Sequence, residues 1–429
     1  MAIAESIKNF AQQLNFSFAQ NMWLKLFWIL FLFILLATFL FVLYQMYRKF
    51  MNKEMSKNPL DAINSGNMKN FWEKFKGVFL WKWFFSMFGN NEVNAINMND
   101  QHGMYKIQDG IKLYANAPYI RLKDTNEPTA IKNIVKDNRF AVMWAGDVKQ
   151  DLNNGCNEDI YRYIYVMLFV YRVPIQNVYL LVQKNDGGLM KHLVYSMEQH
   201  FGAKFGGYYE TTDYNVRLVL KEVFEEKLTA SNVREHAGLS PTSNVTPPSF
   251  LYFLYSGHGA NKTDYSGDEL DGKDEFILTG YDTLRREVTY MLDDELNSKT
   301  IGKLPPNCNA LYMMDQCYSG TSMDLNYVYK LNTDHWEPGR RVIQNNNTLG
   351  NVLMYSAASD AEVAWVSRYN DRKKPGGTLC IVIFEDELNG KPLYTQLFNV
   401  LPCYSYIHQK ISSVWKQDPH LSSYYNQLK

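Results

Sequence analysis

The chain has 429 residues, 46% of them hydrophobic and 15% aromatic, with Lys+Arg and Asp+Glu both at 44. That length buries a sizeable core in one or two domains, and the even charge balance excludes a general binder of nucleic acid or of acidic partners. Five cysteines, Cys156, Cys308, Cys317, Cys380 and Cys403, form neither a disulfide framework nor a zinc set and suit a reducing compartment.

From the start, residues 1–21 read as a tail and 22–47 as a transmembrane helix. Leu26 to Tyr44 is apolar throughout and carries no charge. At about 1.5 Å per residue it reaches roughly 30 Å, the hydrocarbon thickness of a bilayer. It is too long for a signal-peptide core, and no small-residue cleavage site follows it. Arg48, Lys49, Lys53 and Lys57 come after the span, against Lys8 and Lys25 before it. The positive-inside bias therefore puts the long carboxyl-terminal part on the cytoplasmic side of a single-pass membrane protein. Residues 48–137 read as a juxtamembrane segment and linker. Within them, 69–88 mixes Phe71, Trp72, Phe75, Trp81 and Phe84 with lysines, a composition that suits a helix lying at the membrane surface.

Residues 138–429 read as an α/β domain. Phe140–Gly146 is an apolar run closed by Gly, a buried strand. Cys156–Arg172 has helical apolar spacing, Val178–Val182 is a second strand, and Tyr214–Leu228 a second amphipathic helix. A Pro/Ser/Thr-rich loop, Ser240–Ser249, leads into a third strand that runs through Leu254-Tyr255-Ser256 to Gly257. Leu311–Asp315 and Asn351–Ser356 are further strands, and 376–416 reads as helices with Pro392 and Pro402 as punctuation. Strands alternating with helices predict a parallel-rich sheet flanked by helices on both faces.

Two strand exits carry reactive side chains: Tyr255-Ser256-Gly257-His258-Gly259 and Asp315-Gln316-Cys317-Tyr318-Ser319-Gly320. The carboxyl ends of parallel strands are where α/β sheets meet ligands. A thiol needs a base, and an imidazole on a neighbouring strand supplies one: Cys317 as nucleophile, His258 as base and acid. Backbone N–H groups of Gly259 and Cys317 are natural oxyanion donors. Side chains two apart on a strand share a face, so Asp315 is aimed at the same space as Cys317, and Asp159 at a helix start can join it. Two carboxylates there attract a guanidinium or ammonium group. A dense acidic stretch, Asp264 to Glu275, followed by Asp293 and Asp294, has the oxygen ligands a hard cation wants, without the spacing of an EF-hand.

These motifs resemble the metacaspases, type I-like members of the caspase–legumain clan of cysteine peptidases. The matching residues are Tyr255 to Gly259, the acidic run Gly267 to Glu275, Asp315 to Tyr329, and Gly155-Cys156-Asn157-Glu158-Asp159, in the family order over roughly 138 to 425. The resemblance implies a caspase-like fold and a primary pocket lined by Cys156, Asp159, Ser256 and Asp315, which takes Arg or Lys before the cut in protein or peptide substrates. It also implies an activating calcium held by Asp274, Asp293, Asp294 and Asp324, a catalytic dyad without a third member, and a monomer. The chain departs from the family at Gln316 and Tyr318 beside the nucleophile and at Ala260 after His-Gly. The reading is thus a membrane-anchored, calcium-dependent cysteine endopeptidase with no role for nucleic acid. Its alternatives are a catalytically silent adaptor recruited to a membrane and a legumain- or transamidase-like luminal enzyme.

Overall fold

The computed structural model describes residues 127–148, 152, 155–183, 189–267, 269–282, 284–339, 348, 350–367 and 376–425. The span expected at 22–47 and the aromatic segment 69–88 lie outside these residues. Among the described residues, no helix is long and apolar enough to cross a membrane.

In chain order the elements begin β1 (Arg139–Gly146), α1 (Gly155–Tyr165, running on through Val166–Val170), β2 (Val178–Val182) and α2 (Leu189–Phe201). β3 (Gly207–Glu210), α3 (Asp213–Lys221, extended by Glu222–Lys227), α4 (Ala230–His236) and β4 (Ser249–Gly257) follow. Next come β5 (Gly259–Thr263), β6 (Lys273–Asp282), β7 (Glu287–Leu292), α5 (Asp293–Lys299), β8 (Cys308–Asp315), β9 (Tyr327–Lys330), β10 (His335–Pro338) and β11 (Asn351–Ser356). The chain closes with β12 (Val366–Ser367), β13 (Gly376–Gly377), α6 (Thr378–Glu385), the short pair β14 (Glu387–Leu388) and β15 (Lys391–Pro392), α7 (Val400–Trp415) and β16 (His420–Ser423).

One nine-stranded sheet organises the domain, in the order β10-β9-β16-β11-β8-β4-β1-β2-β3. The six strands from β3 to β11 are parallel, and β16, β9 and β10 extend one side antiparallel. Strand alternation splits the core in two. Ala141, Met143, Tyr252, Leu254, Leu311 and Met313 pack under α1, α2, α6 and α7. Val142, Trp144, Leu251, Phe253, Tyr312 and Met314 pack on the other face under α3, α4 and α5. This is the helix-flanked, parallel-rich α/β sheet the sequence predicts.

Local chemistry sets several boundaries. The Thr212 and Thr229 hydroxyls accept from Asn215 N (3.2 Å) and Asn232 N (3.3 Å), capping α3 and α4 at their first turns. Lys416, left-handed at φ 56°, ends α7. The stretch 376–416, read as helices punctuated at Pro392 and Pro402, resolves into α6 and α7 with the β14–β15 hairpin between them, because Asn389 (φ 53°) and Gly390 (φ 71°) turn the chain. Pro392 sits in the hairpin rather than in a helix. The core also begins before residue 138: Ile131 and Ile134 are buried, and their carbonyls accept from the Arg139 guanidinium.

Candidate active site

Strands β1, β4 and β8 are neighbours at the centre of the sheet, and their registers align three residues in a row: Ala145 beside Ser256, and Ser256 beside Asp315. His258 lies two residues beyond Ser256, and Cys317 two beyond Asp315. Both therefore leave adjacent strands at one level and on the side that faces α1 and α6.

Glycines let the backbones close in. A Cβ on Gly257 would lie 2.5 Å from Gly146 Cα, and one on Gly259 would strike the Cys317 carbonyl oxygen and stand 2.6 Å from Gln316 Cγ. The His258 exit thus presses directly on the backbone of Cys317, where only glycine fits. The His258 main chain is pinned as well. Its N–H donates to Gly146 O (3.4 Å), and its carbonyl accepts from Tyr255 Oη (2.7 Å) and Leu278 N (3.3 Å).

Cys317 is half-buried, and its Sγ donates to the Ala364 carbonyl at 3.6 Å. Burial, with Asp315 behind it, pushes the thiol above its ordinary range. The Cys317 thiol is turned to the 357–365 loop. The turn that follows is held in place: Tyr318 (φ 54°) donates its N–H to Glu362 O (2.8 Å), Thr321 N donates to Asp360 Oδ1 (2.6 Å), and Thr321 Oγ1 donates to Glu275 Oε2 (2.6 Å).

Beneath the strand exits lie Cys156, Asp159, Ser256 and Asp315, all buried. Asp159 Oδ2 accepts from Ser256 Oγ (2.7 Å) and Gly377 N (2.8 Å), and its Oδ1 is paired with the Arg162 guanidinium at 2.8 Å, both side chains fully buried. Burial raises Asp159 to about 6 even so. Burial alone would lower Arg162, but Asp159, Glu158 and Glu385 around it more than reverse that. Asp315 Oδ2 accepts from Cys380 N (2.8 Å), while Oδ1 meets no hydrogen-bond donor among the described residues. Burial and the nearby Asp159 push Asp315 up to about 7. The floor is therefore less negative than two bare carboxylates, and it is roofed: a Cβ on Gly377 would fall on the Asp315 carboxylate.

On the sheet's other face, the three-stranded sheet β5-β6-β7 and the start of α5 carry the acidic stretch. Glu269, Asp293 and Asp324 bring carboxylate oxygens within 4.8 Å of one another, all three buried. Burial pushes Glu269 to about 7 and Asp293 to about 8, and raises Asp324 well above its ordinary range. Asp274 is buried beside them and raised, first by burial and then by Asp264 and Asp294. Asp294 is exposed on the first turn of α5, not one of the three that close to within 4.8 Å, but near enough to help raise Asp274 and Asp324. Carboxylates crowded this closely are a ready set of hard oxygen ligands.

Three residues of this region carry no motif-level signal of their own: Asp147, Arg162 and Glu269. Glu269 lies inside the acidic run, and its role emerges only when the loop folds onto Asp293 and Asp324. Arg162 follows Asp159 by one helical turn, a spacing that pairs side chains on one face. Asp147 follows Gly146 as His258 follows Gly257, a parallel visible only once the two strands are paired. A cleft of about 830 Å³ lined by Trp336, Phe398, Val400 and Tyr425 opens beside Asn309 and Asn351, at the far ends of β8 and β11 from this chemistry.

Against known proteins, residues 194–326 match the model of the metacaspase, peptidase C14 domain. The middle of this chain is metacaspase-like. The match takes in His258, Cys317 and the whole acidic stretch, and stops short of Cys156 and Asp159. Metacaspase-1 of Botryotinia fuckeliana is 36% identical over 121 residues, 28% of this chain and 28% of that protein. Metacaspase-1 of Plasmodium falciparum is 27% identical over 207 residues, 47% of this chain and 32% of that protein. Metacaspase-1 of Scheffersomyces stipitis is 33% identical over 136 residues, 32% and 29% of the two chains. The chain thus spans about a third or less of the length of these relatives.

Proposed function

We propose that this chain is a metacaspase-like cysteine endopeptidase working through a Cys317–His258 dyad. The observation that carries the reading is the common level of the two strand exits, with Gly259 pressed on the Cys317 carbonyl. In the reaction, Cys317 yields its proton to His258 and its sulfur attacks the scissile carbonyl. The imidazolium then protonates the leaving amine, and water activated by the same imidazole frees the acyl-enzyme. Gly259 and Cys317 N–H groups face the developing oxyanion.

The substrate residue before the cut is Arg or Lys. Asp315 Oδ1, buried and without a donor among the described residues, supports this: a guanidinium or ammonium supplies both the missing hydrogen bond and the opposite charge. Reaching it requires the Gly376–Gly377 strand to shift. The thiol must also turn from Ala364 O toward the imidazole, so the described state is a resting one.

Calcium is the proposed activator, and the residues present fit it. Glu269, Asp293 and Asp324 would hold the ion, with Asp274 and Asp294 beside them; it would supply the positive charge that lets these buried carboxylates ionise. The apolar run from Leu26 to Tyr44 supports a single-pass membrane anchor, with the catalytic domain on the cytoplasmic side.

The test is hydrolysis of Arg-, Lys- and Asp-ended fluorogenic peptides by the full chain, with calcium or chelator, beside Cys317→Ala. Calcium-dependent cleavage of the basic reporters alone, lost in Cys317→Ala, is the expected result. An inert wild type at every calcium concentration would leave the silent-adaptor reading. Protection of the domain from added protease in sealed vesicles would move it to the luminal side.

A further inference from the structure

Three side chains, not two, leave the central strands at one level. The aligned row Ala145, Ser256 and Asp315 on β1, β4 and β8 is followed, two residues on in each strand, by Asp147, His258 and Cys317. A two-residue step keeps a side chain on its face, so all three emerge on the side of α1 and α6. Asp147 is 2% exposed, and its Oδ1 stands 3.7 Å from His258 Nε2. Its other oxygen accepts from Leu152 N at 3.1 Å, which fixes the carboxylate plane from the far side.

We propose that Asp147 is the positioning residue of the imidazole, holding His258 through Nε2 so that Nδ1 is presented to Cys317. This rests on the peptidase reading above and adds a third member to its dyad.

The chemistry follows from the two unlike nitrogens of the ring. A carboxylate facing Nε2 favours the tautomer with the proton there, because that N–H then points at negative charge. Nδ1 is left with its lone pair, the form needed to take the thiol proton. When it does so, the S–H bond breaks, the N–H bond forms at Nδ1, and the ring becomes cationic beside a buried anion in a low-dielectric site. That pairing is stronger in the charged state than before it, which is the condition for lowering a barrier rather than merely tightening binding. The 3.7 Å separation is longer than a hydrogen bond, so the pair must close by about 0.5 Å or more as the ring charges.

Geometry around the ring favours this role over simple packing. The His258 backbone is already held by Gly146 O, Tyr255 Oη and Leu278 N, so the main chain needs no help from Asp147. What remains to be set is the ring's rotation and its proton, and a carboxylate at Nε2 sets both. Gly146 places it there: β1 ends at a residue without a Cβ, whose site is filled by the Tyr255 ring, and the next side chain turns to the His258 exit.

The experiment compares Asp147→Asn, Asp147→Glu and Asp147→Ala with wild type in the full chain, by two readouts. The first is peptide hydrolysis with calcium. Asp147→Asn should lower kcat about 10- to 100-fold with KM within about twofold, and Asp147→Glu should recover most of that loss while Asp147→Ala does not. The second needs no substrate: the rate of Cys317 alkylation by iodoacetamide at neutral pH, located by mass spectrometry, should fall about tenfold in Asp147→Asn. Unchanged alkylation in Asp147→Asn overturns the proposal, as does an Asp147→Glu variant no better than Asp147→Ala. If the wild type hydrolyses no peptide at all, the peptidase reading fails by itself, and the alkylation series still decides whether Asp147 acts on the Cys317–His258 pair.

Discussion

Two groups of buried carboxylates lie on either side of Cys317, the proposed nucleophile, and they differ in how their charge is balanced. The floor group, Asp159 and Asp315, is balanced from within: Arg162 pairs Asp159, while N–H groups of Gly377 and Cys380 and the Ser256 hydroxyl donate to its oxygens. The outer group, Glu269, Asp293 and Asp324, sets carboxylate beside carboxylate, each raised by burial and by acidic neighbours. Burying a charge is tolerable only beside an opposite one. At rest the floor therefore holds its own counter-charge at Asp159 and leaves only Asp315 Oδ1 without a donor among the described residues, whereas the proposed calcium would supply the counter-charge of the outer group. Thr321, bonded to Glu275 on one side and to Asp360 on the other, joins the outer group to the turn that carries Cys317.

The largest effect tests what both groups serve. Cys317→Ala or His258→Ala should each lower turnover by about 10³-fold or more, read as kcat on a basic reporter. Activity surviving in either would leave the two carboxylate groups without a common centre.

Next comes the balanced side. Arg162→Gln strands the fully buried Asp159 carboxylate and should destabilise the domain by about 3–5 kcal/mol, measured by urea unfolding. A variant as stable as wild type would show that the floor is not balanced by Arg162.

On the unbalanced side the sign reverses. Asp324→Asn removes one carboxyl from the crowded group, so in chelator at alkaline pH, where the group ionises, it should melt higher than wild type, by about 2–4 °C for each kcal/mol of repulsion relieved. It should also lose the rise that calcium gives wild type. A lower melting temperature in chelator would break the contrast between the groups.

The smallest effect is a slope. Burial raises Glu269 to about 7 and Asp293 to about 8, so the folded state keeps protons that the unfolded chain releases near the ordinary carboxyl value of about 4. Their contribution is fully present below about pH 4 and is lost as pH climbs through the raised values. In chelator the melting temperature should fall between about pH 5 and 8, and calcium should flatten that fall by displacing the protons. A calcium-independent slope would place the titration elsewhere.

Much of the fold was readable because buried parallel strands are apolar on both faces. Phe140–Gly146, Leu254–Gly257 and Leu311–Asp315 announced themselves by composition and a closing glycine or a reactive exit. The strands that escaped notice, β3, β5 to β7, β9, β10 and β16, are short, polar on one side or at the sheet's edge, where neighbours rather than composition decide pairing. Within 376–416 the helices and the break before Pro392 were legible, but not the hairpin at Asn389 and Gly390, because two left-handed residues in sequence make a turn that apolar spacing does not reveal.

By itself the sequence determined a thiol and an imidazole at glycine-bounded strand exits, a run of carboxylates dense enough for a hard cation, and an apolar stretch of bilayer length. Those are local facts, written in residue type and spacing over a few positions. Only the tertiary structure decided that Asp147 faces His258, that Arg162 already holds Asp159, and that Glu269 rather than Asp294 meets Asp293 and Asp324. Each of these depends on strand register, helix rotation or loop closure, and electrostatic balance is a property of distances that no linear spacing contains.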